Sequence, residues 1–171
     1  MPRYVAFLRG VSPMNARMPD LKRAFEGAGF TDVKTLLSSG NVAFTATARS
    51  QATLARRAED ATARHMSRPF HTIVRASSAL RELIDADPFA AFDLPANAKR
   101  IVTFLPDGHD PAPALPVEAE GVHLLASTGH EILIAYVPHP RGPVFMSMIE
   151  RTFGTRVTTR TWETVKKCAA A

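Results

Sequence analysis

The sequence is poor in cysteine: Cys168 is the single one in 171 residues. A lone thiol closes no internal disulfide and excludes metal centres built on paired thiolates, so a reducing cytoplasm is the expected address. No stretch approaches the roughly 18 to 20 apolar residues that cross a bilayer, and no membrane partner is expected. The start, Met1-Pro2-Arg3-Tyr4-Val5, has no apolar h-region or small-residue cleavage site, so no secretory leader is expected. Also missing are a Gly-x-Gly-x-x-Gly fingerprint, a Walker loop, a nucleophile elbow and a kinase signature, so nucleotide-cofactor and hydrolase classes recede and no cofactor is expected. The six histidines include no His-x-x-x-His or His-Glu-x-x-His pair, so no metal site is expected either.

What is there is globular. Hydrophobic residues make up 46%, charged residues 22% and aromatics 8%, which excludes disorder, coiled coil and collagen. The length suits one domain or two small ones. The net charge is +5, and it is uneven: residues 1–87 hold 13 Lys+Arg against 8 Asp+Glu, while residues 88–171 hold 8 of each. Arginine, whose planar fork suits phosphate and carboxylate, supplies 16 of the 21 basic residues. The excess is either an anion-binding feature of the first half or the mark of an arginine- and alanine-rich composition.

Periodicity predicts two α+β halves. Tyr4–Arg9 reads as a buried central strand. After a loop at residues 10–17, Met18-Pro19-Asp20 opens a helix with Leu21, Ala24, Phe25 and Ala28 inward, stopped by Gly27 and Gly29. Val33, Thr35 and Leu37 alternate as a second strand, Ser38-Ser39-Gly40-Asn41 supplies turn chemistry, and Val42–Thr45 returns as a third. Ser50 caps a helix with Leu54, Ala58, Ala61 and His65 inward. A fourth strand at 70–75 and a short helix burying Leu80, Leu83 and Ile84 complete a βαββαβ order, the split-βαβ or ferredoxin-like plan.

Residues 88–99 read as a connector with Phe89 and Phe92 as anchors. Residues 100–171 then repeat the plan imperfectly. A strand at 101–105 is followed by prolines 106, 111, 113 and 116, which forbid a long helix. Val122–Leu125 and Ile132–Tyr136 form a hairpin, and a helix carries Phe145, Met148, Ile149 and Phe153. A short strand at 156–160 leads to a closing helix with Trp162, Val165 and Ala169. The expectation is a tandem of two ferredoxin-like halves with mainly antiparallel sheets, repeated in element order without visible sequence identity.

Four segments in order, Phe7-Leu8-Arg9-Gly10-Val11, Met18-Pro19-Asp20-Leu21, Ser39-Gly40-Asn41-Val42-Ala43-Phe44 and Thr158 through Lys167, resemble the domain of unknown function 1697 family (DUF1697), a group of mostly bacterial proteins. The resemblance covers essentially the whole chain and implies two ferredoxin-like halves, with no established reaction. Many members have an Asn-Val-Gly-Gly-Lys-Asn-like loop after the first strand, which could cradle an anion through backbone N–H groups. Here Ser12-Pro13-Met14-Asn15-Ala16-Arg17 stands in its place, which weakens that inference. Many members also have Arg-Asn-Trp where this chain has Arg160-Thr161-Trp162.

Each candidate site residue has a structural alternative. Thr161 suits a helix cap and Trp162 a core anchor, whereas Arg160 and Lys167 form either an anion-binding pair or surface ion pairs. Ser39 and Asn41 complete a turn, or else join Arg9 in a polar cluster. Phe44 is expected in the core rather than on a base-stacking platform, since Asn41–Thr45 does not match the RNA-recognition signature. Cys168 reads as a small packed residue, with no Cys/His signature. The expected function is binding of an anionic ligand, a nucleic acid or a phosphorylated metabolite, at the junction of the halves through Arg9, Asn15, Ser39, Asn41, Arg160, Trp162 and Lys167. The alternatives are a small-molecule enzyme of unnamed reaction, or an interaction protein using residues 106–116 and the connector. The oligomeric state is not legible in the sequence.

Overall fold

A computed structural model describes residues 1–109, 113–138, 140, 142 and 144–171. The chain is α+β, with two antiparallel sheets and five α-helices among the described residues. It divides into two compact units: residues 1–82 with 166–171, and residues 83–165. The last six residues group with the first unit, away from the cut at the connector that the sequence suggests. There Arg3 Nε donates to Ala171 O (2.9 Å) and Arg81 Nε to Ala169 O (3.2 Å). No described helix is long and apolar enough to cross a membrane.

In the first unit the order is β1 (Arg3–Leu8), α1 (Met18–Gly27), β2 (Thr31–Leu36), β3 (Asn41–Thr45), α2 (Gln51–Met66), β4 (Thr72–Ala76) and α3 (Ser77–Asp85). The sheet order is β2-β3-β1-β4, with β1 antiparallel to both neighbours. Alternation along β1 sends Tyr4, Ala6 and Leu8 into a core with Leu21, Phe25, Phe44, Leu54 and Ala58. Ser50 caps α2, its Oγ accepting from Thr53 N at 3.1 Å. The inward stripe of α2 ends differently from expectation. His65 is exposed, and Thr62 is buried in its place, because the Thr62 hydroxyl accepts from Phe70 N (3.2 Å) and donates to Glu59 O (2.9 Å). His65 lies over Gly27, where a Cβ would come within 2.6 Å of its Nε2. Leu37 is not part of β2. It sits in the following turn at φ +58° and is 50% exposed, because the chain must reverse there.

In the second unit a short 3-10 helix (Pro88–Ala91) buries Phe89. It is followed by β5 (Lys99–Phe104), β6 (Val117–Ala119), β7 (Val122–Ser127), β8 (Glu131–Tyr136), α4 (Phe145–Phe153), β9 (Thr158–Thr161) and α5 (Trp162–Ala170), which ends among residues of the first unit. The order is β6-β7-β8-β5-β9, again antiparallel. Ile101, Leu105, Ile132 and Ile134 face Met148 and Ile149 of α4. The edge strand β6 is not anticipated by the sequence, because its three residues are all exposed and leave no hydrophobic alternation. Pro111 of the proline-rich segment and His139 lie outside the described residues.

The register aligns a short sequence likeness between the two sheets. Val5-Ala6-Phe7-Leu8 and Val102-Thr103-Phe104-Leu105 occupy matching places in their sheets. Val5 stands opposite Arg75, and Val102 opposite Arg160. Leu8 N donates to Gly40 O (2.8 Å) and Leu105 N to His130 O (3.0 Å), each the residue just before a central strand. Arg75 Nη1 donates to Val74 O (3.0 Å) and Arg160 Nη1 to Thr159 O (2.8 Å). In both units the last strand runs straight into a helix.

Candidate functional site

In the first unit, polar groups gather at the end of β1. Arg9 N donates to His71 O (2.8 Å), and Leu8 N binds the turn at Gly40, so β1 delivers Arg9 between the β2–β3 turn and the start of β4. The loop after it is closed on itself. Asn15 Nδ2 donates to Gly10 O (2.7 Å), while its Oδ1 accepts from Ser12 N (2.9 Å). Met14 N donates to Ser12 Oγ (3.3 Å), and the N–H groups of Asn15 and Ala16 reach Ser12 O. With Pro13 lacking a donor, the N–H groups from Ser12 to Ala16 bond within the loop, so the loop is not an anion cradle and Asn15 acts as its tie.

Ser39 and Asn41 close the neighbouring turn. Asn41 is fully buried, and its Nδ2 donates to Leu36 O and Ser39 Oγ, both at 3.0 Å. Gly40 between them is at φ +86°, and a Cβ there would meet Val11 Cβ at 2.8 Å, so both backbone and packing require glycine. His71 Nδ1 lies 3.3 Å from Glu59 Oε1, which also accepts from Thr72 N at 3.0 Å. Glu59 thereby holds the imidazole and the start of β4 against α2. The pair escapes sequence reading because its members lie on different elements with no motif.

The face of this sheet turned away from α1 and α2 is closed. Val5, Phe7 and Ala43 are fully buried, and Ile73 and Arg75 are each 3% exposed. Phe44 lies in the core, edge-on to Phe25 at 5.7 Å. Lys167 is exposed on α5 and belongs to the residues grouped with this unit.

Arg160 and Trp162 belong to the second unit. Arg160 is 8% exposed, and its Nη1 also donates to Thr158 Oγ1 (2.6 Å). Thr161 caps α5 as its position suggests, its Oγ1 accepting from Thr164 N at 3.2 Å. Trp162 is 3% exposed and packs edge-to-face on Phe89, with centroids 5.1 Å apart. The Arg100 guanidinium stands 5.9 Å from the Phe89 ring centre.

Around this anchor opens a cleft of about 680 Å³, lined by connector residues 92–96 and 98 and by Lys99, Arg100, Tyr136, Thr161, Trp162 and Glu163. Register explains the gathering: Lys99 pairs with Tyr136 and Ile101 with Thr161, so the start of β5, the end of β8 and the β9–α5 junction share one end of the sheet. Of the seven candidate ligand-binding residues expected from sequence, Trp162 alone lines this cleft. Lys99 and Arg100 carry a weak sequence signal, two adjacent cations leading an apolar run, but Asp93, Tyr136 and Glu163 are joined to them only by the fold. Among the described residues no three His, Cys, Asp or Glu side chains form a metal cluster.

These features define a two-sheet α+β protein with an open, mixed-charge cleft beside a buried Trp–Phe anchor. The chain belongs to the family described as Protein of unknown function (DUF1697), whose model matches residues 1–128. Among solved structures it is similar to the conserved bacterial protein SP0830 from Streptococcus pneumoniae. The TM-score is 0.71 at 18% identity, covering 99% of this chain and 97% of that one, a likeness of fold. No curated protein matches the chain.

Proposed function

We propose that the protein binds a small anionic molecule, of the phosphorylated-metabolite kind, in the cleft at the start of β5. The observation that carries this reading is that Lys99 and Arg100, both exposed at the start of β5, line a cleft of about 680 Å³. That size falls within the roughly 300–1,000 Å³ of small-molecule sites. The first turn of α5 lines the same cleft and adds the partial positive charge of a helix N-terminus. A nucleic acid is the weaker candidate, because the sheet face on which an RNA-recognition fold would stack bases is buried at Val5 and Phe7.

The same reading takes the two units as copies of one ferredoxin-like plan. Support comes from the shared β-order once β6 is set aside, the repeated Val-x-Phe-Leu strand and the matched arginines opposite Val5 and Val102.

The test is a thermal-shift screen of phosphorylated metabolites against the full chain, followed by calorimetry. A ligand at a hundredfold excess over its Kd stabilises by about 2.7 kcal/mol. Lys99→Ala with Arg100→Ala should abolish that stabilisation. A ligand that stabilises the double variant equally would place binding elsewhere.

A further inference from the structure

Tyr136 lines two cavities. One is the charged cleft at the start of β5, and the other is a pocket of about 230 Å³ walled by Val122, Val137, Pro138, Val144 and Phe145. None of the described residues lining this second pocket carries a charge. The half-buried Tyr136 ring stacks on Phe145 of α4, with centroids 4.2 Å apart and planes 25° from parallel.

Register sets a cation on the other side of that tyrosine. Tyr136 pairs with Val122 of β7 on one flank and with Lys99 of β5 on the other. Residues paired across an antiparallel ladder project to the same face, so Val122, Tyr136 and Lys99 make one row. The face is the one that α4 covers, since Val122, Ile134 and Ile101 share a core with Met148 and Ile149. Arg100, the next residue along β5, projects to the opposite face, where its guanidinium stands over Phe89. Lys99 is therefore the cation of this row, and it is exposed. With neighbouring strands about 4.8 Å apart, the row runs about 10 Å from apolar pocket to ammonium.

The size of the pocket limits what enters it. Apolar cavities of about 150 Å³ take a benzene-sized group. At about 230 Å³ this one suits a short alkyl chain or a single ring, and not the long acyl chain of a membrane lipid. A polyhydroxyl tail would give up its water there against valine and proline side chains.

On the reading that the cleft binds an anion, we infer that its ligand is a phosphate ester of a short apolar alcohol. The phosphate meets Lys99, and the alkyl group passes Tyr136 into the pocket beside Val122 and Phe145.

Three probes test this by calorimetry on the full chain at low salt: methyl phosphate, butyl phosphate and glycerol phosphate. Butyl phosphate should bind more tightly than methyl phosphate by about fourfold for each added methylene. Glycerol phosphate should bind no better than methyl phosphate. Val137→Thr, a near-isosteric change, should shrink the advantage of the butyl chain and leave methyl phosphate unchanged, whereas Lys99→Ala should weaken both by about tenfold. Equal binding of methyl and butyl phosphate overturns the apolar tail and leaves the anion cleft standing. Glycerol phosphate binding as tightly as butyl phosphate overturns it as well, and so does a butyl phosphate affinity that Lys99→Ala leaves untouched. If none of the three binds, the cleft itself is not the site, and both readings fall together. The comparison of probes on the unaltered protein needs no variant, so it decides even if a substitution disturbs the fold.

Discussion

With the extra edge strand β6 set aside, the sheets of the two units have parallel strand orders, β2-β3-β1-β4 and β7-β8-β5-β9, reached through different crossovers. In the first, the chain passes from β1 to β2 through α1, ten residues whose Leu21, Ala24 and Phe25 fill the core. In the second, the corresponding passage from β5 to β7 runs through a proline-rich stretch and the exposed three-residue strand β6. The central pair of strands is almost unchanged between them, down to the leucine N–H that binds the residue preceding β3 or β8. Even the irregularities match, since β2 and β7 each carry a shift of register against their hairpin partners. The lesson is that apolar runs on the central strands, buried on both faces, set the sheet in each unit, whatever the crossover between them.

The comparison can be broken most forcefully at the paired phenylalanines. Phe7→Ala and Phe104→Ala each remove a fully buried ring and should each cost about 3–5 kcal/mol in urea unfolding. Equal losses support equivalent places in two copies, and a cheap loss on one side would end the equivalence. The turns should then differ sharply. Gly40→Ala meets both a positive φ and Val11, and should cost about 2–4 kcal/mol. His130→Ala, at the matching but exposed position, should change stability by less than about 0.5 kcal/mol.

Helix caps come next. Ser50→Ala and Thr161→Ala each strip one hydroxyl acceptor from a first-turn N–H, and each should cost about 1 kcal/mol, visible as a shift in urea midpoint at unchanged slope. The smallest effect belongs to the surface of α1. Lys22→Ala breaks the exposed pair with Glu26 (3.8 Å) and should cost about 0.3 kcal/mol, shrinking further as salt is raised.

The elements of the first unit were largely legible because each carries its own local signal. Leu21, Ala24 and Phe25 repeat at helical spacing, Ser50 announces a cap, and Gly40 marks a turn that only glycine can make. His65 and Leu37 depart from the sequence expectation for a shared reason: each continues a local pattern one step past the point where the core ends. Thr62 displaced His65 because an otherwise unsatisfied N–H at Phe70 needed a hydroxyl, a demand made from another element. In the second unit β6 went unseen, since a short solvated edge strand is held by its ladder with β7 rather than by side-chain burial.

The candidate site divides in the same way. Ser39 and Asn41 are open in the sequence to a turn or a binding role, and Asn15 to a binding role, and in the structure all three tie their loops together. Thr161 as a cap follows from the sequence alone, because capping depends on neighbours along the chain, whereas the Trp162 anchor is completed by Phe89, far away along the chain. The cleft around Trp162 does not follow from it either: Lys99, Tyr136 and Thr161 are far apart along the chain, and only strand register sets them at one end of a sheet. Local periodicity and turn chemistry thus determine the α+β class, the antiparallel hairpins and most helix boundaries. Which polar groups come to share a cleft was decided by pairing between strands distant in sequence, and side-chain pattern within any one segment carries no information about it.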